Sequence, residues 1–242
     1  MEDKKEEYMV VKHNSLINAR SDLIYTSNQL KLICHLIAHI KPTDTNFETK
    51  EVSLRELGFV GKDSYNYTRF KEEFLQLLTM PFQLPGTKGW TNWFSYLEYT
   101  DGSIKYAFDE RLKSFLLNLK DNFTSYQLKN VLLLQSAYNI KLYELLAQYK
   151  IIGHRKISLE NLRYCLNIPI SYQNKDVIRL IENLQLELSE KTDINFSFEI
   201  IKNGKKFEAI NFIIKVNKIK KENKLSNLDI KDKLKKLRLN EI

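Results

Sequence analysis

Two histidines have the spacing of metal ligands on a helix. His35 and His39 stand four residues apart, so a helix would place both imidazoles on one side, as in helical zinc sites. Leu36 stands where a metalloprotease motif has its glutamate, and the sequence offers no evident third ligand. We therefore interpret the histidines as an ordinary pair on a helix surface and predict no metal site.

Other residue patterns that support catalysis are also missing. The segment Gly61-Lys62-Asp63 lacks the glycine spacing and the hydroxyl group of a phosphate-binding loop. Cys34 and His35 face different sides of a helix, so they do not form a nucleophile–base pair. No paired carboxylates suit two-metal catalysis. We predict that the chain is not an enzyme and holds no cofactor; a nuclease using His35 is the least favoured alternative.

A third chemistry, hydrogen bonding to DNA, is available in a polar segment that leads into a predicted helix. Amide side chains can bond to adenine, Lys and Arg to guanine, and Ser or Tyr hydroxyl groups to phosphate. The candidate DNA-binding residues of this segment are Ser171, Tyr172, Gln173, Asn174, Lys175 and Arg179. The alternative is a polar loop before a helix; the place of the segment in a repeated module favours DNA.

Basic residues outside this segment are further candidates. Lys202, Lys205 and Lys206 lie at the tip of a predicted hairpin, where they would contact phosphate or the minor groove. A merely soluble hairpin turn is the alternative there. Arg155 and Lys156 are predicted to clamp the DNA backbone.

The earlier part of the chain offers a sparser set. Arg69 and Lys71 occupy the corresponding predicted helix, but Glu72 and Glu73 lie beside them and would repel phosphate. We expect this part to contribute mainly contacts to the DNA backbone.

An internal repeat indicates the elements that position these residues. Residues 26–31 (TSNQLK) resemble 124–129 (TSYQLK), and 52–57 (VSLREL) resemble 157–162 (ISLENL). A hairpin turn follows in each copy, Asp101-Gly102 and then Asn203-Gly204. Matched landmarks in one order indicate two copies of a module that reads helix, helix, helix, hairpin. We predict an α+β fold of two tandem winged-helix domains, mainly helical, with a β-hairpin wing in each.

Capping patterns set the predicted helix starts. Thr26 with Gln29 and Ser53 with Glu56 are capping boxes of the first copy. Thr124 is interpreted in the same way, opening a helical region through residue 149 that is eleven residues longer than its counterpart. The other predicted helices span residues 67–78, 111–119, 157–166 and 175–190.

The domain plan follows from these elements. We predict a polar tail at 1–9, a first winged-helix domain at 10–122, a second at 123–217 and a basic, flexible tail at 218–242. The formal charge is +8 and the pI about 9.2, which fits an anionic partner. Residues 217–242 hold nine Lys or Arg against four Asp or Glu, a net of +5, so the folded body carries only +3.

Cysteine usage and hydropathy indicate a compartment. Cys34 and Cys165 fall in apolar helical patterns and are predicted to be buried thiols in a reducing environment. The sequence shows no signal peptide and no run of about 18 apolar residues, so we expect a cytoplasmic protein without a membrane span.

The first predicted hairpin is rich in aromatic residues. Core packing accounts for alternate members, and the others would form a self-association surface. The candidate dimerisation residues are Trp93, Phe94, Tyr96 and Tyr99.

Six short segments between residues 10 and 216 match a known family pattern. They are 11–14 (VKHN), 123–126 (FTSY), 136–146 (SAYNIKLYELL), 157–162 (ISLENL), 171–173 (SYQ) and 192–194 (TDI) with the hairpin that follows. In these segments the chain resembles the iteron-binding plasmid replication initiators. Members of that family often carry a run of Arg in the second recognition helix, whereas Ile178 and Leu180 flank a lone Arg179 here.

The resemblance implies two winged-helix domains on successive major-groove faces of a repeated DNA site at a plasmid origin. It also implies a dimer formed through the first domain that represses its own promoter, and a monomer that opens the origin. Recruitment of a host replication initiator and the replicative helicase would follow.

We therefore predict a plasmid replication initiator that binds repeated double-stranded DNA sites, or iterons, at the origin. A winged-helix transcription regulator without an initiator role and a protein-interaction scaffold are the alternatives. The initiator requires tandem sites and origin opening, the regulator requires only specific binding, and the scaffold requires no DNA.

Overall fold

A computed structural model describes residues 8–19, 21, 23–57, 64–100, 102–204 and 206–217, without the side chains of residues 64–67. The first half contains β1 (Met9–His13), α1 (Asn14–Ile17), α2 (Ser27–Ala38), β2 (Lys50–Ser53), α3 (Ser64–Gln76), β3 (Phe82–Gln83), β4 (Trp90–Thr91), β5 (Phe94–Thr100), β6 (Ser103–Phe108) and α4 (Lys113–Leu116). The second half contains β7 (Phe123–Gln127), α5 (Leu128–Leu132), α6 (Ala137–Ala147), β8 (His154–Ser158), α7 (Leu159–Leu166), α8 (Asn174–Lys191), β9 (Ile194–Asn203) and β10 (Lys206–Val216).

The two halves contain sheets of the same order. In each, the strand that follows α2 or α6 pairs antiparallel with the second strand of the hairpin, giving β2-β6-β5 and β8-β10-β9. The positive φ of Gly102 (+101°) and Gly204 (+61°) places each glycine in a turn conformation that side chains disfavour. The predicted module of helices and a hairpin is therefore present twice.

The helix start predicted at Thr26 is confirmed, whereas the one predicted at Thr124 is not. The side chain of Thr26 accepts from Gln29 N–H at 3.1 Å and Gln29 Oε1 accepts from Thr26 N–H at 2.9 Å, which confirms the capping box of α2. Thr124 begins no helix; it lies in β7. The counterpart of Thr26 is Ser136, whose hydroxyl accepts from Asn139 N–H and begins α6. The predicted continuous helix to residue 149 and its eleven-residue insertion are therefore wrong.

Pairing with a distant strand explains the error at Thr124. Strand β1 pairs antiparallel with β7, with Lys12 opposite Thr124 and Val10 opposite Tyr126. Thr124 and Tyr126 are buried while Ser125 between them is exposed, which is a strand period rather than a helical one.

Three shorter predicted helices also differ from the structure. Ser53 accepts from Glu56 N–H as predicted, but residues 54–57 form turns and the rest of that predicted helix lies outside the described residues. In the 111–119 region the α-helix is limited to α4. Helix α7 begins at Leu159 because residues 154–158 form β8.

A buried polar cluster joins the two halves. Lys12 on β1 donates to Glu144 on α6 at 2.6 Å, and both side chains are less than a tenth exposed. Tyr126 on β7 also donates to Glu144, and Cys34 on α2 lies 3.4 Å from the Lys12 ammonium group. Burial alone would lower the pKa of Lys12, but Cys34 and Glu144 outweigh burial and raise it to about 12. Side chains from four elements, β1, α2, β7 and α6, therefore meet at one buried ion pair.

The aromatic residues proposed for dimerisation separate into two groups. Trp93 and Phe94 are buried; the first packs on Phe82 with ring centroids 4.9 Å apart, and the second stacks on Phe108 at 5.1 Å. Their assignment to a dimer surface is therefore wrong, because both are core residues. Tyr99 is half-buried and Tyr96 is exposed. Among the four residues, Tyr96 alone therefore has a ring exposed enough to contact a second copy of the chain.

Candidate nucleic-acid interface

The start of α8 presents the polar segment singled out from the sequence. Asp176 accepts from Gln173 N–H at 2.8 Å and so fixes the first turn of the helix. Its inward face consists of Val177, Ile181, Leu184 and Leu188, as predicted. All six candidates of this segment are exposed: Ser171, Tyr172, Gln173, Asn174, Lys175 and Arg179. The structure thus brings them together at one end and one side of α8.

Two of the three wing lysines can be placed. Lys202 and Lys206 are exposed at the tip of the β9–β10 hairpin on either side of the turn, while Lys205 lies outside the described residues. Among the ion pairs of the described residues, none includes Lys202 or Lys206. Both ammonium groups are therefore open to an anionic partner.

The two residues of the predicted backbone clamp point in opposite directions. Lys156 is exposed on β8, but Arg155 points inward and is 8% exposed. Its guanidinium donates to the carbonyl of Leu145 and to Asn18 Oδ1, and lies 4.7 Å from the centre of the Tyr149 ring. Burial lowers the pKa of Arg155, and the hydrogen bonds compensate its charge. We therefore withdraw Arg155 from the interface; it ties α6 to the segment after α1.

The corresponding residues of the first half are engaged with other groups. Arg69 on α3 pairs with Glu73 at 3.0 Å, and Lys71 lies 5.4 Å from the centre of the Tyr99 ring. On the first hairpin, Lys105 pairs with Glu98 at 3.4 Å. These three cations of the first half are thus less available to an anionic partner than Lys202 and Lys206.

The histidine pair is not a surface pair. His35 is buried and stacks on His39 with ring centroids 5.2 Å apart; burial, assisted by His39, lowers its pKa to about 4. His39 lies 2.9 Å from Glu56 Oε1. Within the part of the chain that the structure describes, no group of three potential metal ligands was found. The same residues include no helix long and apolar enough to cross a membrane.

Comparison with protein-family models decides the family. Residues 9–147 match the model described as "Initiator Replication protein, WH1", and residues 158–214 match "Initiator Rep protein, WH2". The chain belongs to this initiator family. The two matched domains are tandem winged helices, which confirms the predicted fold class. No curated protein matches this initiator.

A solved structure supports the same fold. The initiator superposes on a chain described as "Crystal structure of Pi initiator protein in complex with iteron DNA", with a TM-score of 0.72 and 17% sequence identity. The match covers 88% of this chain and 99% of the other. At that identity the likeness establishes the fold.

Two residues near the initiator's candidate interface were missed by the sequence reasoning. Ile170 is fully exposed in the turn before α8. Tyr138, at the start of α6, has its pKa raised by burial and by the neighbouring Tyr172, which places the two phenols close together. The position of Ile170 within a polar turn could have indicated from the sequence that it is exposed. The proximity of Tyr138 to Tyr172 depends on tertiary packing and has no such sequence signal.

Proposed function

We propose that this initiator starts plasmid replication by binding repeated double-stranded DNA sites at an origin. The proposal is carried by one observation. The chain contains two winged-helix domains, and in the second domain the start of α8 and the tip of the wing are exposed and cationic. In helix-turn-helix proteins the start of the recognition helix reaches base edges in the major groove. The fold shared with the pi initiator, whose structure contains iteron DNA, supports the same assignment.

The division of work follows from the side chains. Residues at the start of α8 read bases, and Lys202, Lys205, Lys206 and Lys156 contact the phosphate backbone. Arg69 and Lys71 add backbone contacts from the first half. We place the domain division at residues 122/123, with β7 crossing back to pair with β1.

The remaining assignments are carried by the family resemblance. A dimer formed through the first domain represses the promoter of the gene, and a monomer opens the origin for a host initiator and helicase. Of the four residues predicted for dimerisation, Tyr96 is the exposed one that such a dimer would bury. The protein acts in the cytoplasm by binding rather than by catalysis.

The test is selection from a randomised duplex pool, with the size of the bound species measured in parallel. We expect one motif of about 20 base pairs, two helical turns, bound by a monomer. With about six phosphates neutralised, log affinity should fall against log salt with a slope near −5. Recurrence of the motif as direct repeats that support plasmid replication would establish initiation. An inverted motif bound only by a dimer, without replication, would identify a transcription regulator; no enrichment would leave a protein-interaction scaffold.

A further inference from the structure

The turn between α7 and α8 has one buried apolar residue, Ile168, and that residue lies near its start. Helix α7 ends at Leu166, and Asn167 takes the left-handed conformation with φ +53°. Of the residues that follow, Ile170 is fully exposed and Ser171 and Tyr172 are exposed. The part of the turn from Ile170 to Tyr172 therefore depends on hydrogen bonds for its conformation.

One side chain supplies two of these bonds. The guanidinium of Arg163, on the last turn of α7, donates to the carbonyl of Pro169 at 3.2 Å and to the carbonyl of Tyr172 at 2.7 Å. Tyr172 N–H also donates to the Pro169 carbonyl at 3.1 Å. The three bonds close a loop around Ile170 and Ser171 and fix the approach of the chain to α8.

A second tie holds the beginning of the turn. The Asn167 amide donates to the carbonyl of Ser21 at 2.8 Å and to the carbonyl of Leu23 at 3.3 Å. These carbonyls belong to the segment before α2. The turn is thus fixed at one end to the first half of the protein and at the other to Arg163.

We propose that Arg163 is a positioning residue for DNA specificity: it holds the α7–α8 turn so that Ser171, Tyr172 and Gln173 meet the DNA in one geometry. This inference rests on the proposed function. A planar guanidinium with several donors can bridge two carbonyls of fixed separation, whereas an ammonium on a flexible stem cannot hold both in one geometry. Arg163 acts through the turn, because both hydrogen bonds go to backbone carbonyls.

The decisive variant is Arg163→Lys, which keeps the charge and removes the fork. Dissociation constants are measured on the selected duplex and on random duplex over a range of salt. Arg111→Lys is the matched control, since Arg111 is exposed in the first half and pairs with Asp109 at 3.0 Å. We expect Arg163→Lys to weaken specific binding about 5- to 100-fold, the loss of about one base contact, with random-duplex binding and its salt slope unchanged. Arg111→Lys should change neither.

A second variant separates positioning from direct phosphate contact. Arg163→Gln removes the charge, and under our proposal it leaves the salt slope on random duplex unchanged. A slope smaller by about 1, with equal losses on both duplexes, would make Arg163 a phosphate contact and overturn the proposal. Unchanged discrimination by Arg163→Lys would also overturn it, as would global unfolding of both variants in a thermal melt. If the wild-type protein itself selects no motif, the proposed function fails instead.

Amide hydrogen exchange on the free protein gives a readout without DNA. Loss of the guanidinium bridge should speed exchange at the Tyr172 N–H, which lies inside the closed loop, while Val177 within α8 keeps its protection. Equal exchange at Tyr172 in wild-type protein and Arg163→Lys would show that the bridge does not hold the turn.

Discussion

The two winged helices share a sheet order but differ in what their basic side chains contact. In the first, Arg69 and Lys105 each face a carboxylate of their own element or hairpin. In the second, Arg179 and Lys202 are exposed on the described surface, and no ion pair of the described residues includes them. The hairpins differ as well, with strands of 7 and 6 residues in the first and 10 and 11 in the second.

The difference shows that a repeated fold need not carry a repeated function. An anionic partner must displace Glu73 or Glu98 before it meets these two cations of the first half, Arg69 and Lys105. It meets those of the second half directly. The longer wing also carries Lys202 and Lys206 farther from the core, because a strand advances about 3.3 Å per residue.

The largest expected effect comes from breaking the junction that holds the halves together. Glu144→Gln leaves the Lys12 charge buried without its partner and should lower the free energy of unfolding by about 3–5 kcal/mol. Urea denaturation measures the change. The double variant Lys12→Met/Glu144→Gln removes both charges and should recover a large part of the loss. A loss below about 1 kcal/mol for Glu144→Gln would show that the ion pair is not important to the junction.

The next effect compares the two recognition helices directly. Arg179→Ala should cost about 1–3 kcal/mol on the selected duplex and little on random duplex, because a base contact is lost. Arg69→Ala, its counterpart on α3, should cost less than about 1 kcal/mol, since its charge is already paired. Titration of both variants on both duplexes checks this. Equal costs on the selected duplex would remove the asymmetry between the halves.

A smaller effect compares the two wings. Replacing Lys202 and Lys206 together by Ala should reduce the salt slope by about 2, because two phosphate contacts are lost. Lys105→Ala should leave the slope unchanged. Affinities measured between low and moderate salt give the slopes. An unchanged slope for the double variant would exclude the second wing from the interface.

The smallest expected effect comes from releasing Arg69 of the first winged helix from its ion pair, which would make it more like the unpaired cations of the second. Glu73→Gln frees Arg69 and removes a negative charge from α3, so affinity for random duplex should rise by less than about 1 kcal/mol. Glu190→Gln, near the far end of α8, is the control that removes an equal charge away from the helix start. A gain of the same size in the control would reflect net charge rather than the release of Arg69.

Local signals were enough to predict the second half from residue 174 onward. The Asn203-Gly204 turn specifies its own hairpin, and the apolar spacing of Val177, Ile181 and Leu184 specifies the buried face of α8. The candidate base-reading residues could be placed in the same way, because they lie just before this helix or in its first turns. Each of these features depends on neighbours within a few residues.

Features that depend on distant partners were not predictable in the same way. Thr124 carries a good helix-capping pattern, and only its pairing with Lys12 on β1 selects the strand. Arg155 alternates with exposed His154 and Lys156 and shares its face with buried Ile157, so a period of two was a usable sign that it points inward. Its acceptors, on α6 and the segment after α1, were not visible in the sequence.

The bond between Lys12 and Glu144 has a consequence for synthesis of the protein. The two residues are 132 positions apart, so at about 5–20 residues per second the ribosome makes Glu144 roughly 7–26 s after Lys12. For most of that interval β1 also lacks its partner β7, which is completed 17 residues before Glu144. The nascent first half therefore holds an unpaired cation and an open strand edge. The first winged helix is synthesised early, but its contacts to β7 and Glu144 can form only after the start of the second half has been made.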